Sequence, residues 1–219
     1  MLSNRLNSIT KFIEPKDRII DVGCDHAYLP IHLYKNKICE FVIASDKNQN
    51  ALDYAIKNIK NANLEGKIPT IISDGIENIG VERYEINTLV LSGMGTTTIL
   101  KILENEQVKY INKLIIQSNN DHYLLRKTLN KKGLYIKEEI ISKDNDKYYI
   151  TICFVRGNKK HTENEYYWGI LNKENLDYYI HVKNNYDRIY NMIPSNKWHL
   201  RYKTRKLIKQ LNNIIKMLS

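Results

Sequence analysis

Cysteine is scarce in this chain. Cys24, Cys39 and Cys153 are scattered, odd in number and without a CxxC pair. That excludes a disulfide framework and a cysteine zinc site, and reads as reduced thiols. Long hydrophobic runs are missing too, since none approaches the roughly 18 apolar residues of a spanning helix. The amino terminus, MLSNRLNSITKF, lacks the basic, apolar and small-residue succession of a signal peptide. No GxxxxGK[ST] occurs, which removes P-loop nucleotide hydrolysis, and no internal repeat is visible. These absences predict a soluble, cytoplasmic protein with no membrane and no metal partner.

What is present is 219 residues with 42% hydrophobic content. That length buries a core without covalent or metal staples. The mean hydropathy of -0.49 is that of a soluble globular chain. Formal net charge is +10, which makes phosphate backbones the first partner to consider. The chain is also rich in Asn, Ile, Lys and Tyr, residues of AT-rich codons, so composition bias competes as the cause. The distribution is uneven. Residues 1–156 hold 22 Lys and Arg against 19 Asp and Glu, or +3; residues 157–219 hold 12 against 5, or +7.

The first part alternates short β-branched runs with amphipathic stretches. Strands are predicted at 18–22, 40–45, 68–73, 86–92 and 112–118, with helices at 28–37, 49–61, 96–104 and 123–132. A further helix over 4–12 is expected to be capped by Ser3. Such alternation predicts a parallel, doubly wound α/β sheet. Two more runs, 134–141 and 148–156, flank the turn-rich SKDNDK and predict an antiparallel pair at the end of the sheet. The character changes at Gly157-Asn158-Lys159-Lys160. Beyond it, two amphipathic helices separated by Pro194 predict an antiparallel hairpin. The expected division is therefore residues 1–157 and 158–219.

Ligands of open parallel sheets bind outside the carboxyl ends of the strands. The first end reads Asp21-Val22-Gly23-Cys24-Asp25-His26-Ala27-Tyr28-Leu29-Pro30. This DxGxD spacing is not GxGxxG, because Asp25 and Tyr28 occupy glycine positions. An aspartate there repels a pyrophosphate and favours a ligand bearing an amine or sulfonium cation. A plain tight turn with a capping aspartate is the competing reading. The second strand ends in Asp46, placed to grip a ribose diol or simply to cap. The third ends in Asp74-Gly75, and the fourth in Ser92-Gly93-Met94-Gly95, where small residues let backbone approach a ligand. Gln117 and Asn119 at the fifth strand end could bond a base edge or cap a loop. Asp121 is expected to cap the next helix, and His32 reads as a helix-surface histidine. In the tail, Lys197, Arg201, Lys203, Arg205 and Lys206 interleave with Trp198 and Tyr202. Bases beside aromatics suit RNA phosphates and unpaired bases, although a solvated helix face would look similar.

Together these residues resemble class I S-adenosylmethionine-dependent methyltransferases. The closer resemblance is to the bacterial tRNA (adenine(22)-N(1))-methyltransferase family, which is TrmK-like. DHAYLP (25–30) behind DVG is the specific element. LSNRL (2–6), SDG (73–75), SGMG (92–95) and LIIQSN (114–119) support it in order, and the helical tail is similar to that family's coiled-coil-like carboxyl-terminal domain. The chain departs from the pattern at Thr96, at Ser118 and in having Asp rather than Glu at Asp46. The resemblance implies a Rossmann-like fold with a mostly parallel seven-stranded sheet whose last strand is antiparallel. It implies S-adenosylmethionine as cofactor, contacted by Gly23, His26, Tyr28, Leu29, Asp46, Asp74, Gly75, Gly93 and Met94. Asp25 is implied as the acid beside the target adenine and Arg5 as part of an electropositive mouth; tRNA is the implied partner of a monomer. Methylation of another RNA site or a small metabolite, or RNA binding without catalysis, are the alternatives.

Overall fold

The structure, a computed structural model, describes residues 2–219. They form two compact units, the first ending at Tyr167 and the second running Trp168–Ser219.

In the first unit the elements run α1 (Asn4–Thr10), β1 (Arg18–Val22), α2 (Tyr28–Lys35), β2 (Phe41–Asp46), α3 (Gln49–Asn61), β3 (Thr70–Ile72), β4 (Thr88–Met94), α4 (Thr96–Ile102), β5 (Lys113–Ser118), α5 (His122–Lys131), β6 (Leu134–Asp144) and β7 (Lys147–Arg156). One seven-stranded sheet results, in the order β3-β2-β1-β4-β5-β7-β6. The first five strands pair in parallel, and β7 is antiparallel to both neighbours. The strand order reverses between β1 and β4, which opens a crevice at their carboxyl ends. Ile19, Val42, Ala44, Val90 and Ile115 are buried against Ile9, Leu33 and Ala55 of the helices. Strands covered on both faces explain the unbroken β-branched runs.

Local signals fixed several boundaries. Ser3 accepts the Leu6 N–H and starts α1, and Asp121 accepts the Leu124 N–H at 3.0 Å to start α5. The final hairpin is tighter than SKDNDK suggests. Asn145 takes φ +54° in a two-residue connection, so Ser142, Lys143 and Asp144 pair with Tyr149, Tyr148 and Lys147 instead of looping out.

The units part at Tyr167, ten residues beyond the composition change. Residues 158–167 are tied to the first unit. His161 Nε2 accepts the Ile136 N–H at 3.1 Å, and Asn130 donates to the Lys159 carbonyl at 2.9 Å. The buried Arg126 guanidinium grips Glu139 at 2.6 Å and donates to the Tyr166 carbonyl at 3.1 Å. The change at Gly157 marks where strands stop, not where packing stops. A helical turn at α6 (Glu163–Trp168) follows.

In the second unit, α7 (Leu176–Met192) and α8 (Trp198–Leu218) flank Pro194. Tyr179, Leu211, Ile214 and Leu218 form their buried seam. Helix α8 carries six Lys and Arg and no acid.

Candidate functional site

The turn after β1 is tightly constrained. Gly23, Asp25 and Ala27 all take positive φ, at +73°, +50° and +55°. Each such non-glycine residue costs about 1–3 kcal/mol and persists only where the surroundings enforce it. Here the N–H groups of Gly23 and Cys24 both donate to the Ser45 carbonyl, at 2.8 and 2.9 Å. The Asp25 N–H points at Asp46 Oδ2 (3.3 Å), and Asn58 donates to the His26 carbonyl (3.0 Å). The loop is thus fastened to the end of β2 and to α3. A Cβ at 23 would also meet the Met94 methyl, the far end of a flexible side chain that would have to swing aside. Met94 itself follows Gly93, whose φ of +80° accompanies a register shift between β4 and β5.

Four acids stand at these strand ends. Asp46 is half-buried, its carboxylate already oriented by the N–H groups of Asp25 and Asn48. Asp74 is exposed beside Gly75, where φ is +66°. Asp25 is exposed (71% for its side chain), with His26 Nε2 3.6 Å from its Oδ1. Asp21 is the buried one. Burial pushes its carboxyl up to about 7, Arg5 opposing and Asp46 adding to the effect. Asp21 lines a small cavity of about 70 Å³ with Gly23, Asp25, His26 and Ser92. Cys24 also lines it, but burial and the neighbouring carboxylates push its thiol far up, so it is no thiolate nucleophile.

Arg5 closes the wall opposite. Its Nη1 donates to Ser92 Oγ (3.2 Å) and Gln117 Oε1 (3.4 Å), so it is a half-buried part of the site more than an open mouth. Gln117 was expected to meet RNA, and the structure corrects this. Its side chain is buried at 1% exposure, and Nε2 donates to Thr151 Oγ1 at 2.7 Å and the Arg5 carbonyl at 3.2 Å. Gln117 therefore orients Arg5 and Ser92 from behind. Asn119 is exposed; its amide donates to the Gly93 carbonyl at 2.8 Å, which leaves its oxygen toward solvent.

The two departures at Thr96 and Ser118 meet each other. Their hydroxyls lie 2.8 Å apart, both face the Asn120 carbonyl, and both residues are buried. A pair of hydroxyls thus clasps the ends of β4 and β5 beside Asn119.

Leu29 is buried in the core yet reaches the 70 Å³ cavity. Tyr28 is 56% exposed. The His26 ring lies 5.4 Å from that of Tyr28 and 5.5 Å from that of Tyr54. Tyr54 and the burial of Asp21 are the features that sequence reading missed. Tyr54 sits mid-helix on a polar face and carries no motif signal, whereas the acid before DxG was visible without its depth.

In the second unit Lys197, Lys203, Arg205 and Lys206 are exposed, as are Trp198 and Tyr202. Arg201 is not free in the same way. It donates to the Ile193 carbonyl at 2.8 Å and lies 4.4 Å from the Tyr190 ring centroid, closing the end of α7. Tyr202, Arg205, Lys206 and Lys209 line a shallow groove along α8.

The first site suits a ligand of definite chemistry. A buried acid, two half-oriented acids and glycine-backed turns favour a cationic, diol-bearing molecule and disfavour phosphates. S-adenosylmethionine has that donor set. Among the described residues no cluster of three or more His, Cys, Asp or Glu could hold a metal, and no helix is long and apolar enough to cross a membrane.

Residues 2–152 match the model of a family described as "Methyltransferase domain". A tRNA (adenine(22)-N(1))-methyltransferase of Bacillus subtilis is 31% identical over 120 residues, 54% of this chain and 50% of the relative. The chain spans about half the length of the curated relatives it matches. The structure of M. capricolum TrmK in complex with S-adenosylhomocysteine is 31% identical and superposes with a TM-score of 0.87 over all of both chains. A protein of the NADB-Rossmann superfamily from Streptococcus agalactiae is 28% identical, with a TM-score of 0.89 over 98% of this chain and 97% of the other.

Proposed function

The chain belongs to the methyltransferase domain family and, within it, to the TrmK family, and from that premise we propose that it methylates N1 of adenine 22 in tRNA. The observation that carries the reading is the strained Gly23–Ala27 turn, which offers Asp25 to solvent beside the buried Asp21 and the oriented Asp46.

S-adenosylmethionine, when bound, supplies a methyl group activated by its sulfonium. Asp21 offers the negative charge for a ligand cation, and Asp46 offers carboxylate oxygens for a diol. Gly23 and Gly93 keep Cβ atoms out of the space, and Met94 offers a soft, polarisable wall. Asp74, beside Gly75, offers an acceptor for an amino hydrogen. Adenine N1 attacks with its own lone pair, so no base is needed to create the nucleophile. The N1–carbon bond forms as the sulfur–carbon bond breaks, and the positive charge passes from sulfur to the base. Asp25 stabilises that developing cation or holds the exocyclic amine, and His26 keeps the carboxylate aimed. Asn119 offers its side-chain oxygen to the same amine. Positioning supplies most of the acceleration.

The second unit provides the grip. Its residues, Trp168–Ser219, hold 10 Lys and Arg against 3 Asp and Glu, or +7. Lys197, Lys203, Arg205 and Lys206 are available to phosphates, with Trp198 and Tyr202 to stack on unpaired bases. The target adenine leaves its stack to reach the first unit. A tRNA substrate also accounts for a cytoplasmic setting.

Incubating the purified protein with methyl-labelled S-adenosylmethionine and an unmodified tRNA transcript tests the reading. Label is expected in the RNA. Cofactor binding without transfer to RNA would reject it and point to another acceptor.

A further inference from the structure

A groove that these steps do not use lies beside the site. Residues of α1 and α2 bound a cavity of about 600 Å³, with Asp25 at its margin. Leu6 and Ile31 give it an apolar floor continuous with the core. Its polar rim is cationic. Arg5 and Lys35 supply the charge, His32 adds an imidazole, and Asp25 is the one acid among the lining residues. Tyr28, with Arg5, Leu6 and Asp25, lines both this groove and the small cavity at Asp21, so these residues separate the two.

His32 is a set donor in this wall. Asn36 Nδ2 donates to the His32 carbonyl at 2.8 Å, which fixes the amide orientation, and the same nitrogen lies 3.3 Å from His32 Nδ1. Nδ1 therefore accepts, and the proton sits on Nε2. Lys35 is exposed and has no salt-bridge partner among the described residues. Tyr28 and Lys35 are seven residues apart on one helix, about 10 Å along its axis. That separation admits one nucleotide between the partition at Tyr28 and a phosphate at Lys35.

We propose that this groove is a subsite for the unpaired nucleotide adjacent to the methylated adenine, with Lys35 and His32 Nε2–H holding its phosphate and the exposed face of Tyr28 available to its base. An apolar floor with a cationic rim matches a base joined to a phosphate, and the one acid lies on the side of the reacting adenine. The inference rests on the RNA-methylating reading above. It adds two residues, His32 and Lys35, that hold substrate without touching the reacting atoms.

The test measures steady-state methylation of full-length tRNA by the full chain. Lys35→Ala is expected to raise KM for tRNA about fivefold, the scale of an exposed charged contact. Its kcat and the affinity for S-adenosylmethionine stay unchanged, and Lys35→Arg restores KM. The slope of log KM against log salt falls by about 0.7, the contribution of one single-strand phosphate contact. His32→Ala raises KM in the same way, and His32→Gln, which keeps a donor, recovers part of it. Wild-type methylation of tRNA with unchanged KM and salt slope in Lys35→Ala and His32→Ala would overturn the subsite and leave the reaction standing. Cofactor binding by the wild type without any RNA methylation would overturn both.

Discussion

Asp21 is predicted to make the binding of S-adenosylmethionine sensitive to pH. Its carboxyl is 5% exposed, and burial lifts it to about 7 against Arg5, which pulls the other way, and Asp46, which adds. With a value near 7, about one tenth is ionised at pH 6 and about nine tenths at pH 8. A sulfonium- and ammonium-bearing ligand that needs the carboxylate then binds about tenfold more weakly at pH 6 than at pH 8. Isothermal titration of S-adenosylmethionine at both pH values, at constant ionic strength, reads this directly. Near pH 7 the heat should vary with the buffer, because about half a proton leaves on binding. Asp21→Asn should bind weakly at both values. Asp25 and His26 also border this cavity, and any slope left in Asp21→Asn belongs to them. The same group acts on the stability of the unliganded protein. The folded-state value lies above the ordinary 3.8, so Asp21 lowers stability progressively from about pH 4 to pH 7. Asp21→Asn should therefore lose less melting temperature than the wild type between pH 5 and 8. Equal affinity at pH 6 and 8 in the wild type, or undiminished affinity in Asp21→Asn at pH 8, would refute the reasoning.

Other perturbations separate the roles of neighbouring residues. Asp25→Asn should cut kcat by about 10²-fold or more, the scale of losing one transition-state contact, while tRNA binding by filter retention persists. Gln117→Leu should lower kcat through a loosened Arg5, with the KM for tRNA unchanged; a rise in KM alone would restore a direct RNA contact. Glu139→Gln leaves the buried Arg126 guanidinium uncompensated and should cost about 3–5 kcal/mol in urea unfolding; a loss under 1 kcal/mol would mean the pair is dispensable. Charge reversal at Arg205 and Lys206 should weaken tRNA binding and flatten its salt dependence, and an unchanged slope would leave α8 a packing helix.

Much of this was legible in the chain, for identifiable reasons. The parallel sheet was readable because strands covered on both faces carry unbroken β-branched runs, as in Ile19-Ile20 and Ile115-Ile116. The positions of the acids at the strand ends were readable, Asp46 closing β2 and Asp25 in the turn after β1; their roles were not. Burial was not readable. Gln117 and Asn119 look equivalent in sequence, yet one is spent on Thr151 and Arg5 while the other faces solvent. Arg201 and Arg205 differ by one helical turn, and only the first reaches the Ile193 carbonyl. The boundary at Tyr167 depended on Arg126, which bonds the Tyr166 carbonyl forty residues later in the chain and which no local pattern connects to it. Thr96 and Ser118 look like two separate departures until their hydroxyls are placed 2.8 Å apart.

The central claim is a methyl group on one atom of one nucleotide. Mass spectrometry of nucleosides from an unmodified tRNA transcript, after incubation with the protein and S-adenosylmethionine, tests it most directly. The account predicts 1-methyladenosine, and none when adenine 22 of the transcript is replaced by guanine. Methylation at another atom, methylation that survives the replacement, or no methylated nucleoside at all would contradict it.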